Sequence, residues 1–129
     1  MFYLNKITLI GHLGKDPEVK TLPSGHLVVT IKLATSEVYK DKEGKWQQQT
    51  EWHTLILWNK LAEFASQHFI KGEKLYAEGK LKYREFIVPE QGRKKVAEIQ
   101  VEKIFSLEKK KAENTTMESN QNEMPDLPW

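Results

Sequence analysis

At 129 residues, with 20 Lys+Arg against 18 Asp+Glu, the chain has room for one ordinary domain and a short appendage, and its formal charge of +2 alone selects no partner. The absence of cysteine excludes disulfides, thiolate zinc sites and cysteine nucleophiles together. No basic leader with a following apolar run opens the sequence, and no apolar stretch approaches the ~18 residues of a membrane span, so a cytoplasmic protein without a membrane segment is expected.

Lys6 to Leu13 alternates as a first strand, with Ile7, Leu9, Gly11 and Leu13 on one face, Thr8, Ile10 and His12 on the other, and Gly11 marking a bulge or bend. Gly14-Lys-Asp-Pro17 and Leu22-Pro-Ser-Gly25 punctuate the chain before a second strand, Leu27 to Thr35, whose Leu27, Val29, Ile31 and Leu33 share a face. The polar segment Ser36 to Thr50 reads as a long hairpin connection turning at Asp41-Lys-Glu-Gly44, with Tyr39 and Trp46 on its arms. A third strand, Gln49 to Trp58, is apolar on both faces: Trp52, Thr54, Ile56 and Trp58 on one, His53, Leu55 and Leu57 on the other. A core needs only one such face, so the tryptophan face is left for something flat.

Asn59 is expected to N-cap a helix whose Leu61, Phe64, Ala65, His68 and Phe69 share a face, with Lys71 in its last turn and Gly72 just past it. Lys74 to Arg84 is a fourth strand, Leu75 to Tyr83 opposing Tyr76, Glu78, Lys80, Lys82 and Arg84. Glu85 to Lys95 reads as a loop or hairpin tip around Phe86, and Val96 to Leu107 as a fifth strand. Five strands with one helix between the third and fourth is the element order of an OB-fold barrel. Residues 1–107 hold 17 Lys+Arg against 13 Asp+Glu, whereas residues 108–129 hold 3 against 5 and have the composition of a disordered tail.

The barrel's chemistry points to single-stranded nucleic acid. Bases stack on exposed aromatics regardless of sequence, and Tyr39, Trp46, Trp52, Trp58 and Phe86 are the candidates. Phosphates are assigned to Lys6, Lys20, Lys32, Lys40, Lys42, Lys60, Lys71, Lys82, Arg84, Arg93 and Lys94, interleaved with those rings. Each singly has a plainer reading as core aromatic or solvated charge; their interleaving carries the argument. No nucleophile elbow, phosphate-binding loop or metal-ligand spacing occurs, and the four histidines read as structural or surface residues, so no enzyme, metal or cofactor is expected.

The stretches Asn5-Lys-Ile-Thr-Leu-Ile-Gly-His-Leu-Gly-Lys-Asp-Pro-Glu18, Leu33-Ala-Thr-Ser-Glu37, Gln49-Thr-Glu-Trp-His53, Lys60-Leu-Ala-Glu63, Lys71-Gly72 and Glu78-Gly79 resemble the bacterial single-stranded DNA-binding protein family across residues 1–107. The resemblance implies a homotetramer of OB folds that binds single-stranded DNA in replication, recombination and repair, associated with the nucleoid. It places the stacking rings at Tyr39, Trp52, Trp58 and Phe86, and subunit contacts at His53 and Tyr76. It also implies that the tip Asp126, Leu127, Pro128 and Trp129 recruits replication and repair enzymes, although the tip is less acidic than is usual and ends in Trp rather than Phe. An accessory OB protein with RNA affinity, and a hub displaying its tails, are the alternatives.

Overall fold

The computed structural model describes residues 2–108; the tip residues Asp126 to Trp129 lie outside that range. The elements run β1 (Ile7–Leu13), β2 (Glu18–Thr21), β3 (Leu27–Lys40), β4 (Trp46–Trp58), α1 (Asn59–His68), β5 (Lys74–Val88) and β6 (Gly92–Glu108). The sheet order β1-β5-β6-β4-β3-β2 is closed by a short β1–β3 pairing at His12↔Ala34 and Leu13↔Leu33. The result is a five-stranded barrel, with β2 added along β3 through Glu18↔Thr30 to Thr21↔Leu27. β2 escapes a reading based on apolar alternation because all four of its residues are exposed.

Alternation selects the core. Val29, Ile31 and Leu33 of β3, Leu55 and Leu57 of β4 and Leu75 and Ala77 of β5 are buried together. On β6 the inward phase is Ile99 and Val101, then Ile104. The one-residue slip arises at a bulge, where Gly79 pairs with Val101 but Glu78 pairs with Lys103. Gly11 does not bulge: β1 pairs continuously with β5 from Ile7 to His12. A Cβ at Gly11 would collide with the Ala34 carbonyl, so the missing side chain is what lets β1 approach β3 and close the barrel.

The helix presents Ala62, Ala65 and the flanking Phe69 to the barrel, while Phe64 and His68 remain outside, their rings 4.4 Å apart. Helical spacing alone leaves the choice between these adjacent stripes open, and packing against β3 and β4 favours the smaller alanines. Asn59 is not the N-cap. That position falls on Trp58, while Asn59 turns at a φ of 51° and its Oδ1 accepts the Leu27 N–H at 3.3 Å, tying the helix start to β3. The helix ends at His68, so Lys71 lies beyond it. The turn after it is anchored by Gly72 N–H to Leu13 O (2.7 Å) and Leu13 N–H to Glu73 O (2.9 Å).

The largest departure from the sequence reading is the length of the two hairpins. β3 and β4 stay paired to Lys40↔Trp46, and β5 and β6 to Val88↔Gly92, so the segments read as connections are mostly strand. Asp41 closes the first hairpin: its carboxylate accepts the N–H groups of Glu43 and Lys45 and the Gln47 amide, chiefly the Lys45 bond holding its pKa below the usual value. No helix among the described residues is long and apolar enough to cross a membrane.

Candidate nucleic-acid interface

β3 and β4 build the centre of the candidate surface because their outward phases coincide. Val28, Thr30, Lys32 and Ala34 lie opposite Trp58, Ile56, Thr54 and Trp52 respectively. Trp52 is 59% exposed and Trp58 39%, large apolar fractions for residues on a barrel wall. Lys32 Nζ donates to Thr54 Oγ1 at 2.8 Å, which fixes the ammonium between the two tryptophans with further donors to spare. A groove of about 450 Å³ runs along this wall, where Lys20, Lys32, Thr54, Trp58, Arg84 and Glu98 meet.

A second recess of about 450 Å³ continues from Trp58 past Lys82 and Arg84. Arg84 Nε and Nη2 both donate to Glu98 Oε2, at 3.1 and 2.8 Å, and these bonds hold the guanidinium pKa above its ordinary value. The same guanidinium lies 5.5 Å from the Phe86 ring centroid, within cation–π range. Lys94 faces Phe86 directly across the hairpin. Rings and cations therefore alternate from Trp52 to Phe86 over β4, β6 and β5.

The other sequence candidates are dispersed. Lys40 and Trp46 pair at the outer end of the first hairpin, the ammonium 5.3 Å from the ring. Tyr39, cross-strand from Gln47, is one residue out of phase with Lys40 and leaves from the reverse face of that ribbon. Lys42 lies in the β3–β4 turn, Lys60 on α1 and Lys71 after it; Arg93 pairs with Glu85 at 3.3 Å. Lys6 pairs with Glu78 at 3.3 Å on the outer face shared by β1 and β5. There Tyr76 donates to Glu78 Oε1 at 2.7 Å and stacks on Phe105 at 4.7 Å. The Tyr76 hydroxyl and Lys6 together depress the Glu78 pKa. His53 points with the core phase at the barrel's end, its Nε2 2.8 Å from Thr35 Oγ1, in a slot of about 260 Å³ bounded also by Ile7, Leu9 and Leu81.

Two participants have no signal in composition or periodicity. One is Glu98, a carboxylate in a cationic groove. The other is Gly14, where a Cβ would lie 2.7 Å from Trp52 Cη2 and closer still to Cζ3. Gly14 is not among the positive-φ glycines, so the ring rather than the backbone requires its missing side chain. Trp52 thus rests one edge of its indole on bare backbone. Gly14→Ala is expected to displace the ring and alter the emission of Trp52, isolated by replacing the other three tryptophans with Phe. Its stability cost should stay at or below about 1 kcal/mol, under the range for buried overpacking, because an exposed side chain can yield. An unchanged spectrum would show that the ring does not rest there.

Comparison with known proteins supplies independent information. Residues 4–107 match the model of the single-strand binding protein family. The chain is 49% identical over 94 residues, 73% of its length, to Single-stranded DNA-binding protein 1 of Chlorobaculum tepidum, of whose length the match spans only 58%. Its fold superposes on a Plasmodium falciparum SSB solved in complex with ssDNA, with a TM-score of 0.75 and 28% identity over 84% of this chain and 98% of that one.

Proposed function

Because this chain belongs to the single-strand binding protein family, a family of non-enzymatic DNA-binding proteins, we propose that it binds single-stranded DNA without sequence preference along the β3–β4–β6–β5 wall. The observation that carries this reading is the placement of Trp52, Lys32, Trp58, Arg84 and Phe86 on one face. Exposed rings accept bases of any identity, and Lys20, Lys32, Lys82 and Lys94 form no ion pair among the described residues that would compete with phosphate. The relatives' names agree with this ligand.

Self-assembly to a homotetramer is part of the same proposal. The edge of β1 from Ile7 to Gly11 has a neighbour only on the β5 side among the described residues, which leaves main-chain groups for a second copy. Ile10, Tyr76 and Phe105 form an apolar patch beside it, and the His53 slot opens next to Ile7 and Leu9. Roles in replication, recombination and repair, and recruitment of their enzymes by Asp126 to Trp129, extend the proposal to the tail.

Titration of tryptophan fluorescence with oligo-dT, alongside light scattering, tests the reading. Quenching is expected with single strands, with log Kobs falling against log salt by ~0.7 for each phosphate neutralised. Equal quenching by duplex DNA, or a flat salt dependence, would overturn it. Glu98→Gln is expected to tighten binding by a few fold, on the order of 1 kcal/mol, and to steepen the salt dependence, because it removes the anion restraining Arg84. Weaker binding would instead make Glu98 the residue that orients Arg84.

A further inference from the structure

Building on the single-strand reading of the outer wall, we propose that the reverse face of the β5–β6 hairpin is a second stacking site for single-stranded nucleic acid, formed by Tyr83 and Lys95. β6 pairs with β4 only at Leu55↔Ile99 and Ile56↔Gln100, whereas β5 and β6 remain paired to Val88↔Gly92. Beyond Leu81↔Ile99 the hairpin is therefore a two-stranded arm with no third strand paired to it among the described residues. Its two faces follow from the register. Lys82, Arg84 and Phe86 with Glu98, Val96 and Lys94 form the face already described, and Tyr83, Glu85 and Ile87 with Ala97, Lys95 and Arg93 form the reverse.

On β5 the Tyr83 phase is the core phase: Leu75 and Ala77 carry it inside the barrel, both essentially inaccessible. By Tyr83 the barrel has ended and the same phase is 61% exposed. A phase with no core left to cover needs no apolar side chain, yet it keeps an aromatic ring. Lys95 Nζ stands 5.2 Å from the Tyr83 centroid, which repeats on this face the pairing of Arg84 with Phe86 on the other. Glu85 lies cross-strand from Lys95 but pairs with Arg93 at 3.3 Å, and Lys95 forms no ion pair among the described residues, so its ammonium is available to phosphate while the ring offers a face to a base.

The occupant is a single strand rather than a folded partner. A stable protein interface needs roughly 800 Å² from each side, more than a two-stranded arm bearing one ring and one aliphatic tip presents. A strand stacked on Phe86 has only to round an arm roughly 10 Å thick to reach Tyr83, and it meets a cation, Lys94 or Lys95, on each side. The hairpin would then be gripped on both faces by one bound strand.

Photo-crosslinking with a series of 5-iododeoxyuridine-substituted oligo-dT lengths, followed by peptide mapping, tests this directly on the full chain. Adducts are expected at Tyr83 with longer oligonucleotides and at Trp52 with all of them. Tyr83→Ala should weaken binding of the long oligonucleotides about fivefold or more, Tyr83→Phe should restore it, and Lys95→Gln should reduce the salt slope by about 0.7. If Trp52→Ala and Phe86→Ala weaken binding while Tyr83→Ala does not and no Tyr83 adduct forms, the second site is wrong and the outer wall stands. If none of the three weakens binding, the single-strand reading fails with it. A Tyr83→Ala protein whose mass changes in light scattering while its affinity does not would make the ring a contact between copies, and would equally overturn the proposal.

Discussion

Trp52→Ala is expected to weaken single-stranded DNA binding by about 1–3 kcal/mol, roughly 5- to 150-fold in Kd, while leaving the melting temperature nearly unchanged. The ring is 59% exposed, so its removal empties little of the core, and it is seated on Gly14, so little freedom is lost when a base stacks on it. Trp46→Ala should cost clearly less. Trp46 stands at the far end of the first hairpin, 66% exposed with the Lys40 ammonium 5.3 Å from its ring, and it does not line the groove of Lys32 and Thr54. Oligo-dT titrations of both variants at one salt concentration check the ranking, and equal losses would refute it.

Three residues along the same strand the expected result reverses. Leu55 is inaccessible to solvent and lies between Ile31 of β3 and Ile99 of β6, so Leu55→Ala leaves a hole in the middle of the barrel. Such truncations cost about 2–5 kcal/mol, a large part of the ~5–15 kcal/mol that holds a domain folded. A fall in Tm on the order of 10 °C or more is expected, with the DNA affinity of the folded fraction little changed. Melting should be followed at several protein concentrations, because assembly of copies adds to apparent stability. A Tm within a degree or two of the parent would mean that Leu55 does not bear on the core. The two variants together separate the faces of one strand, one serving the fold and the other the ligand.

How much of this was open to a reader of the sequence depended on whether the signal was local. Period-two alternation placed Leu55 and Leu57 inward and Trp52 and Trp58 outward, and the structure has them so. The Asp41-Lys-Glu-Gly44 turn was legible because its carboxylate and its left-handed glycine act within five residues. The order of strands and helix, and so the barrel, followed from the same local rules.

What escaped was everything decided by chain segments meeting at a distance. The polar runs flanking both hairpin turns look like loops because they have no core to alternate toward, yet main-chain pairing extends them without needing one. Tyr83 carries the inward phase of its strand and is nevertheless exposed, because the barrel ends before the strand does. The bulge at Glu78 and Gly79 shifts β6 by a residue and moves its inward phase from Val101 to Ile104, and Arg84 meets Glu98 only through the register that the β5–β6 hairpin sets. Gly14 lies under Trp52 although 38 residues separate them. By itself the sequence determined the order of the barrel strands and helix and which strand faces are apolar, since those are encoded by neighbours in the chain. The tertiary structure alone decided how far the strands run, which cations stay free and what each ring rests on, since register and closure are settled by contacts between residues far apart in sequence.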